Sequence, residues 1–156
     1  MAATIDKTGL GDKIVPVNQG ERSMGRIEAR KFTYLDFKAS GSFTTGNVIQ
    51  LIDIPANSFI REVILKVTTA FNAATTNVLL VGDGTDDDGY MASGEVEETA
   101  VKVSSNRAND VAGVYSVKSA GPFYTSADTL DVRYNFTGAD PTAGEAVLIA
   151  EIVTIP

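Results

Sequence analysis

From Phe32 onward the chain alternates between short apolar runs and polar turns, a pattern typical of β-structure. The clearest period of two lies at 130–136, where every second residue from Leu130 to Phe136 is apolar and those between are polar. This alternation predicts a strand with one buried face. Further strands are predicted at 32–37, 48–54, 59–69, 78–81, 111–118 and 146–155.

Turn-forming residues separate these runs. Gly, Asn, Asp, Ser and Pro cluster at 39–42, 45–47, 72–77, 82–89, 119–122 and 137–144. Strands at such spacing predict an all-β domain over residues 32–156, an antiparallel β-sandwich or jelly roll. The one helix candidate is 92–101, with Ser93 as its N-cap. The last run, 146–155, is almost continuously apolar, which indicates a strand in the middle of a sheet or in a tight subunit contact.

Residues 1–31 differ from the rest of the chain. Their apolar residues are scattered, with no helical stripe and little alternation, so we predict an extended N-terminal arm that builds no core of its own. The arm is either a loose terminus or an element that docks on a neighbour by adding a strand. The docking interpretation selects six candidate interaction residues: Ile14, Val15, Val17, Arg22, Arg26 and Arg30.

The charge of the chain limits the classes of partner that it can bind. Thirteen basic and twenty acidic residues give a net charge of −7, which argues against a nucleic-acid ligand, because phosphate binding needs a basic surface. Residues 1–40 carry seven bases and five acids, a net +2, and residues 41–156 carry six bases and fifteen acids, a net −9. The mildly basic residues 1–40 therefore suit an acidic neighbour, whereas the acidic residues 41–156 repel copies of themselves at long range.

Composition also removes several classes of chemistry. The 156 residues contain no Cys, His or Trp, which excludes disulfides, Cys or His metal sites and imidazole-based catalysis. No apolar run of about 18 residues predicts a membrane span, and the first residues lack a secretory-signal pattern. We therefore expect no enzyme, no cofactor and no membrane partner, and the lack of Cys fits assembly in a reducing cytoplasm.

The acidic segment at 82–90 is the strongest candidate for chemistry. Four aspartates within six residues suggest a hard cation. A calcium-loop alignment places Asp86, Asp88 and Glu95 at ligand positions, and Asp83, just before the aligned segment, is a fourth candidate. The match is partial, because Gly84 occupies the first ligand position and a strand rather than a helix precedes the loop. A solvated turn is the favoured interpretation, and paired carboxylates for hydrolysis are a remote one.

Aromatic residues offer one further candidate site. Phe123 and Tyr124 follow a Gly-Pro turn, and Tyr115 lies nearby in sequence. Such rings can stack on a sugar, but aromatics at strand starts are more often core anchors, and the absence of Trp weakens a glycan platform. We therefore favour the core interpretation.

One arrangement of motifs resembles a known group. The segment 51–71 opens a strand with Ile54-Pro55-Ala56, Val81-Gly82-Asp83-Gly84 makes a turn, and Thr142-Ala143-Gly144-Glu145 opens the last strand. Over about residues 48–152 this order resembles small virion proteins of tailed bacteriophages. These motifs mostly mark where strands begin and turns occur, so the resemblance assigns a function to no individual residue.

The resemblance implies a β-sandwich or jelly roll on the capsid exterior, acting as a decoration (cement) protein or as the base of a head fibre. It implies the major capsid protein as partner, a location on the virion surface and assembly in the host cytoplasm. We expect a homotrimer that stabilises the head, with the arm and a sheet edge on the shell and the acidic loop facing solvent. Two alternatives stay open: a glycan-binding module of a fibre, and a tail or baseplate connector.

Overall fold

The computed structural model describes residues 4–6, 13–14, 25–106, 115 and 122–155. Their dominant element is the β-strand. The strands are β1 (Thr4–Asp6), β2 (Lys13–Ile14), β3 (Gly25–Thr33), β4 (Lys38–Ala39), β5 (Ser42–Phe43), β6 (Asn47–Ile54), β7 (Ser58–Thr69), β8 (Thr76–Gly82), β9 (Val103–Ser105), β10 (Asp128–Thr137) and β11 (Glu145–Thr154). A 3₁₀ helix (Tyr34–Phe37) follows β3. Within the described ranges, no helix is long and apolar enough to cross a membrane.

The strands form two main sheets. Sheet I has the order β1-β6-β10-β8, and sheet II has the order β2-β3-β11-β7-β9. The pairings are antiparallel except for β1 with β6, and β4 and β5 form a separate small hairpin. The predicted all-β, antiparallel sandwich is therefore confirmed.

The core lies between the two sheets. The alternation predicted for β10 holds, since Leu130, Val132 and Tyr134 are fully buried on its inner face. The facing sheet contributes the inner residues of β11, which are also fully buried: Ala146, Leu148, Ala150 and Ile152. Each large aliphatic side chain buried in this way stabilises the fold by roughly 1.5–3 kcal/mol relative to exposure. The two inner faces thus carry most of the stability of the domain.

β11 lies at the centre of sheet II, between β3 and β7. This confirms the expectation that the last apolar run is a central strand. Its outer residues Val147, Ile149 and Val153 are only partly buried, although they are as apolar as its inner ones. The sequence also allowed a tight subunit contact for this run, and the outer face of β11 is where such a contact would lie.

Three local predictions need correction. Residues 25–31, assigned to the arm, form most of β3 and pair along β11, and the arm also contributes β1 to the edge of sheet I and β2 to the edge of sheet II. The strand predicted at 32–37 ends at Thr33, where a capping box with Asp36 starts the 3₁₀ helix. Residues 92–101 form turns instead of a helix, because Gly94 adopts a φ of 88°, a left-handed conformation that interrupts a right-handed helix.

Candidate functional surfaces

The acidic loop at 83–89 folds back over the outer face of sheet I. Gly82 permits this close approach, because a Cβ at that position would lie 1.9 Å from the carbonyl oxygen of Asp86. The Asp83 side chain is 2% exposed, and its Oδ1 accepts from the amides of Thr85 (2.8 Å) and Asp86 (2.9 Å). The loop is therefore built around a buried carboxylate.

Two buried tyrosines complete the surroundings of Asp83. The Tyr124 hydroxyl donates to Asp83 Oδ2 (2.7 Å), and the Tyr90 and Tyr124 hydroxyl oxygens are 2.8 Å apart. Since Tyr124 gives its proton to Asp83, Tyr90 must donate to Tyr124. Burial raises the pKa of both hydroxyls above the ordinary value for tyrosine. The network is satisfied internally and anchors the loop to the core.

The aromatic candidates divide between core and surface. Tyr124 belongs to the buried core, and Tyr115 packs against that core, with its ring centroid 5.1 Å from that of Tyr90. Burial raises the pKa of Tyr115 to about 12. Phe123 is exposed. The core interpretation therefore holds for the two tyrosines, and the three rings do not form one open platform.

The four calcium candidates do not converge in the structure. Asp83 points inward to Tyr124, and Glu95 is engaged by the Ala92 amide at 2.7 Å. Asp86 accepts a long hydrogen bond of 3.4 Å from the Asp88 amide. A side-chain hydrogen bond with Asp86 and burial raise the pKa of the Asp88 carboxyl. In the part of the chain that the structure describes, no group of three or more acidic side chains is arranged to hold a metal ion.

A second buried carboxylate, Asp131, lies under the same loop. It stands on the outer side of β10 opposite Gly82, is 5% exposed, and its Oδ1 makes no hydrogen bond. Burial raises the pKa of Asp131 to about 7, with a further contribution from the carboxylates of Asp128, Asp83 and Asp87. Sequence reasoning missed this residue, because a polar position in an alternating strand normally faces water.

The loop is tied to sheet I by a neighbouring ion pair. Arg133, the next outer residue of β10, pairs with Asp87 of the loop through its Nη1. Its Nε is buried without a hydrogen-bond partner. Part of the outer face of sheet I is therefore a polar layer covered by the loop, with the carboxylate of Asp87 exposed above it.

The predicted interaction residues are only partly described. Ile14 lies in β2, where its backbone pairs opposite Ala29, whereas Val15, Val17 and Arg22 lie outside the described residues. Arg26 and Arg30 share the face of β3 that carries the buried Phe32. The structure thus places the two described arginines on the inner side of sheet II.

Both arginines make contacts within the chain. Arg26 Nη2 donates to the carbonyl oxygen of Asp53 in sheet I at 2.8 Å, which ties the two sheets together. Arg30 is 6% exposed and pairs with the buried Glu28 at 3.2 Å. This arrangement gives Arg30 a role inside the chain rather than on a docking surface.

The outer face of sheet II carries both exposed and partly buried apolar residues. Ile27 on β3 is 50% exposed, and Val103 on β9 is 62% exposed. Between them lie the partly buried outer residues of the central strands: Ala29, Phe59, Ile64, Val147, Ile149 and Val153. Sequence analysis found the apolar run of β11 but not the surface that it forms with its neighbours.

The chain shares its fold with chains of three phage capsids. It matches a chain of the cyanophage Pam1 capsid asymmetric unit with 12% identity and a TM-score of 0.57, covering 92% of this chain and 94% of the other. It matches a chain of the Ralstonia phage GP4 capsid with 20% identity and a TM-score of 0.57, covering 98% and 99%. The match to an acid-stable capsid of Helicobacter pylori bacteriophage KHP30 has 15% identity, a TM-score of 0.54, and coverages of 84% and 88%.

These similarities lie in structure rather than in sequence. No protein-family model matches the chain, and no curated protein is significantly similar to it. The predicted resemblance to phage virion structural proteins is confirmed at the level of the fold.

Proposed function

We propose that this chain is a non-enzymatic structural protein of a phage virion, and specifically a decoration (cement) protein that binds the major capsid protein and stabilises the head. The observation that carries the proposal is the structural match to chains of three phage capsids, which covers most of this chain and most of each matched chain. Because both coverages are high, the matched chains are similar in length to this one. The similarity therefore extends over most of each matched chain rather than over a short shared segment.

The chemistry of the described residues supports a role carried by surfaces. The groups whose pKa is raised most are buried within the fold: Tyr90, Tyr124 and Asp131. The two tyrosines are satisfied by one another and by Asp83, which suits an internal anchor of a loop. A cement protein needs a stable body and many copies, since multivalency converts modest single contacts into a strong overall attachment.

The charge distribution suggests how the protein is oriented on the head. The acidic loop lies on the outer side of sheet I, and like charges on a shell or a neighbouring copy would repel it. The part of the predicted arm (1–31) that lies in front of β3, residues 1–24, carries three basic and three acidic residues, a net charge of zero, so an acidic shell surface does not repel it as it repels the acidic body. We therefore place the arm on the major capsid protein and the acidic loop in solvent.

The direct test is reconstitution on heads of the phage that encodes the chain. Heads assembled without the chain are mixed with the purified protein, and bound copies are counted after sedimentation. DNA release on heating is followed with a fluorescent dye. We expect saturable binding and a higher release temperature. Heads that bind no protein, or that release DNA at an unchanged temperature when saturated, would contradict the proposal.

Two variants sharpen the reconstitution. A chain lacking residues 1–24 keeps every strand from β3 onward and should lose affinity for heads. Asn135→Glu, on the outer face of sheet I, adds one negative charge away from the arm and serves as the matched control. Labelled protein found on tails or fibres instead of heads would favour the connector or the glycan-binding alternative.

A further inference from the structure

We propose that the outer face of sheet II is the surface through which copies of this chain contact one another. This inference rests on the proposed function, because a decoration protein is expected to act as an oligomer. It assigns that contact to one face of the sandwich and names its occupant as the same face of a second copy, which gives a two-fold dimer in place of the homotrimer expected from the sequence.

The first argument is the apolar character of the face. A sandwich face in contact with water normally carries polar residues at its outer positions. Here the centre of the face is built from outer residues of β11 and β7 that include Val147, Ile149 and Ile64. Exposed Ile27 and Val103 extend it on both sides. An apolar centre of this kind is typical of a protein–protein contact.

The second argument is the balance of charge. The outer positions of β3, β7 and β11 carry three cations and three carboxylates, which sum to zero: Lys31, Arg61, Lys66, Glu62, Glu145 and Glu151. The whole chain carries −7. Two copies approaching through this face therefore avoid the repulsion that the rest of the surface generates. A surface that presents both signs can also complement itself across a symmetric contact.

The ion pairs of the face leave one of its three cations without a carboxylate partner among the described residues. Lys31 pairs with Glu145 at 2.7 Å, and Arg61 pairs with Glu151 at 3.2 Å. Lys66 is exposed between Val147 and Val103 and forms no ion pair with any described residue. A carboxylate of a second copy can supply that partner.

The third argument is area. Three long strands, β3, β11 and β7, contribute about 31 Å of length each, from nine residues at about 3.4 Å, and β9 contributes about 10 Å from its three residues. At a strand spacing of about 4.8 Å the face covers roughly 500 Å² per copy, or roughly 1,000 Å² for two copies, which is about the size at which a specific interface is expected. The outer face is therefore large enough for a specific contact between copies.

Light scattering and sedimentation of the full-length protein test the inference. We expect an oligomer for the wild type. Ile149→Glu places a charge at the centre of the face and should weaken association by roughly a hundredfold or more, as loss of a central hot-spot residue does. Ile149→Thr keeps a β-branched side chain suited to the strand and should weaken association less. Lys66→Glu breaks the charge balance and should also weaken it.

Asn135→Glu is the matched control, because it adds the same charge to the outer face of sheet I and should leave the oligomer intact. Circular dichroism and thermal melting confirm that each variant is folded. A wild type that stays monomeric at high concentration would overturn the inference. So would folded Ile149→Glu and Lys66→Glu variants that remain as oligomeric as the wild type.

The readout separates this inference from the proposed function. Association in solution involves no heads, so an oligomer that depends on Ile149 supports the assignment even if reconstitution on heads fails. A folded Ile149→Glu variant that stays oligomeric but no longer binds heads would show that the face contacts the shell, and would overturn the second copy as its occupant.

Discussion

The two outer faces of the sandwich depart from the usual distribution of polar and apolar residues in opposite ways. On sheet I, outer polar groups such as Asp131 and Arg133 are covered by the 83–89 loop. On sheet II, outer apolar residues such as Ile27 and Val103 are exposed, and no described segment covers them. The polar groups of sheet I are buried by a loop of the same chain, whereas an exposed apolar patch indicates a partner outside the chain. Sheet I therefore carries an internal anchor, and sheet II carries the contact surface.

The largest expected effect comes from forcing the loop off sheet I. Gly82→Ala would place a Cβ 1.9 Å from the Asp86 carbonyl oxygen and 2.4 Å from the Asp87 carbonyl carbon, both backbone atoms. We expect the free energy of unfolding to fall by roughly 3–5 kcal/mol, as measured by urea denaturation. Gly25→Ala is the control, since the nearest atom to its Cβ would be 3.6 Å away. Equal losses for the two variants would contradict a covered face of sheet I.

The hydrogen-bond network below the loop should give the next largest effect. Tyr124→Phe removes the donor to Asp83 Oδ2 and leaves a buried carboxylate short of a partner, so we expect a loss of roughly 2–3 kcal/mol. Tyr90→Phe removes only a neutral donor to Tyr124 and should cost about 1 kcal/mol. Denaturation of both variants under the same conditions measures the difference. If Tyr90→Phe lowers the free energy of unfolding more than Tyr124→Phe does, the assignment of Tyr90 as donor to Tyr124 and of Tyr124 as donor to Asp83 is wrong.

The difference between the two faces also explains what the sequence could predict. The inner face of β10 follows from strict alternation, and the central place of β11 follows from its continuous apolar run. The burial of Asp131 could not be predicted, because it depends on a loop from another part of the chain that folds over it. The start of β3 was hidden for a similar reason, since Glu28 and Arg30 neutralise one another on its inner face.

Asp131, in the polar layer of sheet I, should make the free energy of unfolding depend on pH. Its pKa is about 7 in the folded protein and near 3.8 when unfolded, so the folded state binds the proton more tightly. The contribution of this group to stability is therefore present below about pH 4 and is lost as the pH rises towards 7. Asp131→Asn keeps the shape and stays neutral. We expect it to flatten the decline in unfolding free energy between pH 5 and pH 8.

The measurement is urea denaturation of the wild type and of Asp131→Asn at both pH values. Taking the difference between the two proteins cancels the contribution of every group that titrates equally in both. A wild type that gains stability from pH 5 to pH 8 relative to Asp131→Asn would show that Asp131 is ionised and stabilised under the loop.

The smallest effect on folding is expected from the charges of sheet II. Arg61 pairs with Glu151 at 3.2 Å, and the Arg61 side chain is largely exposed. Exposed pairs contribute about 0–1 kcal/mol, so Arg61→Ala should leave the urea midpoint almost unchanged. If the outer face of sheet II is an interface, the same substitution should weaken self-association measurably, because it removes one cation from a balanced surface. An Arg61→Ala variant with lower folding stability and unchanged association would mean that this charge serves the fold rather than the contact between copies.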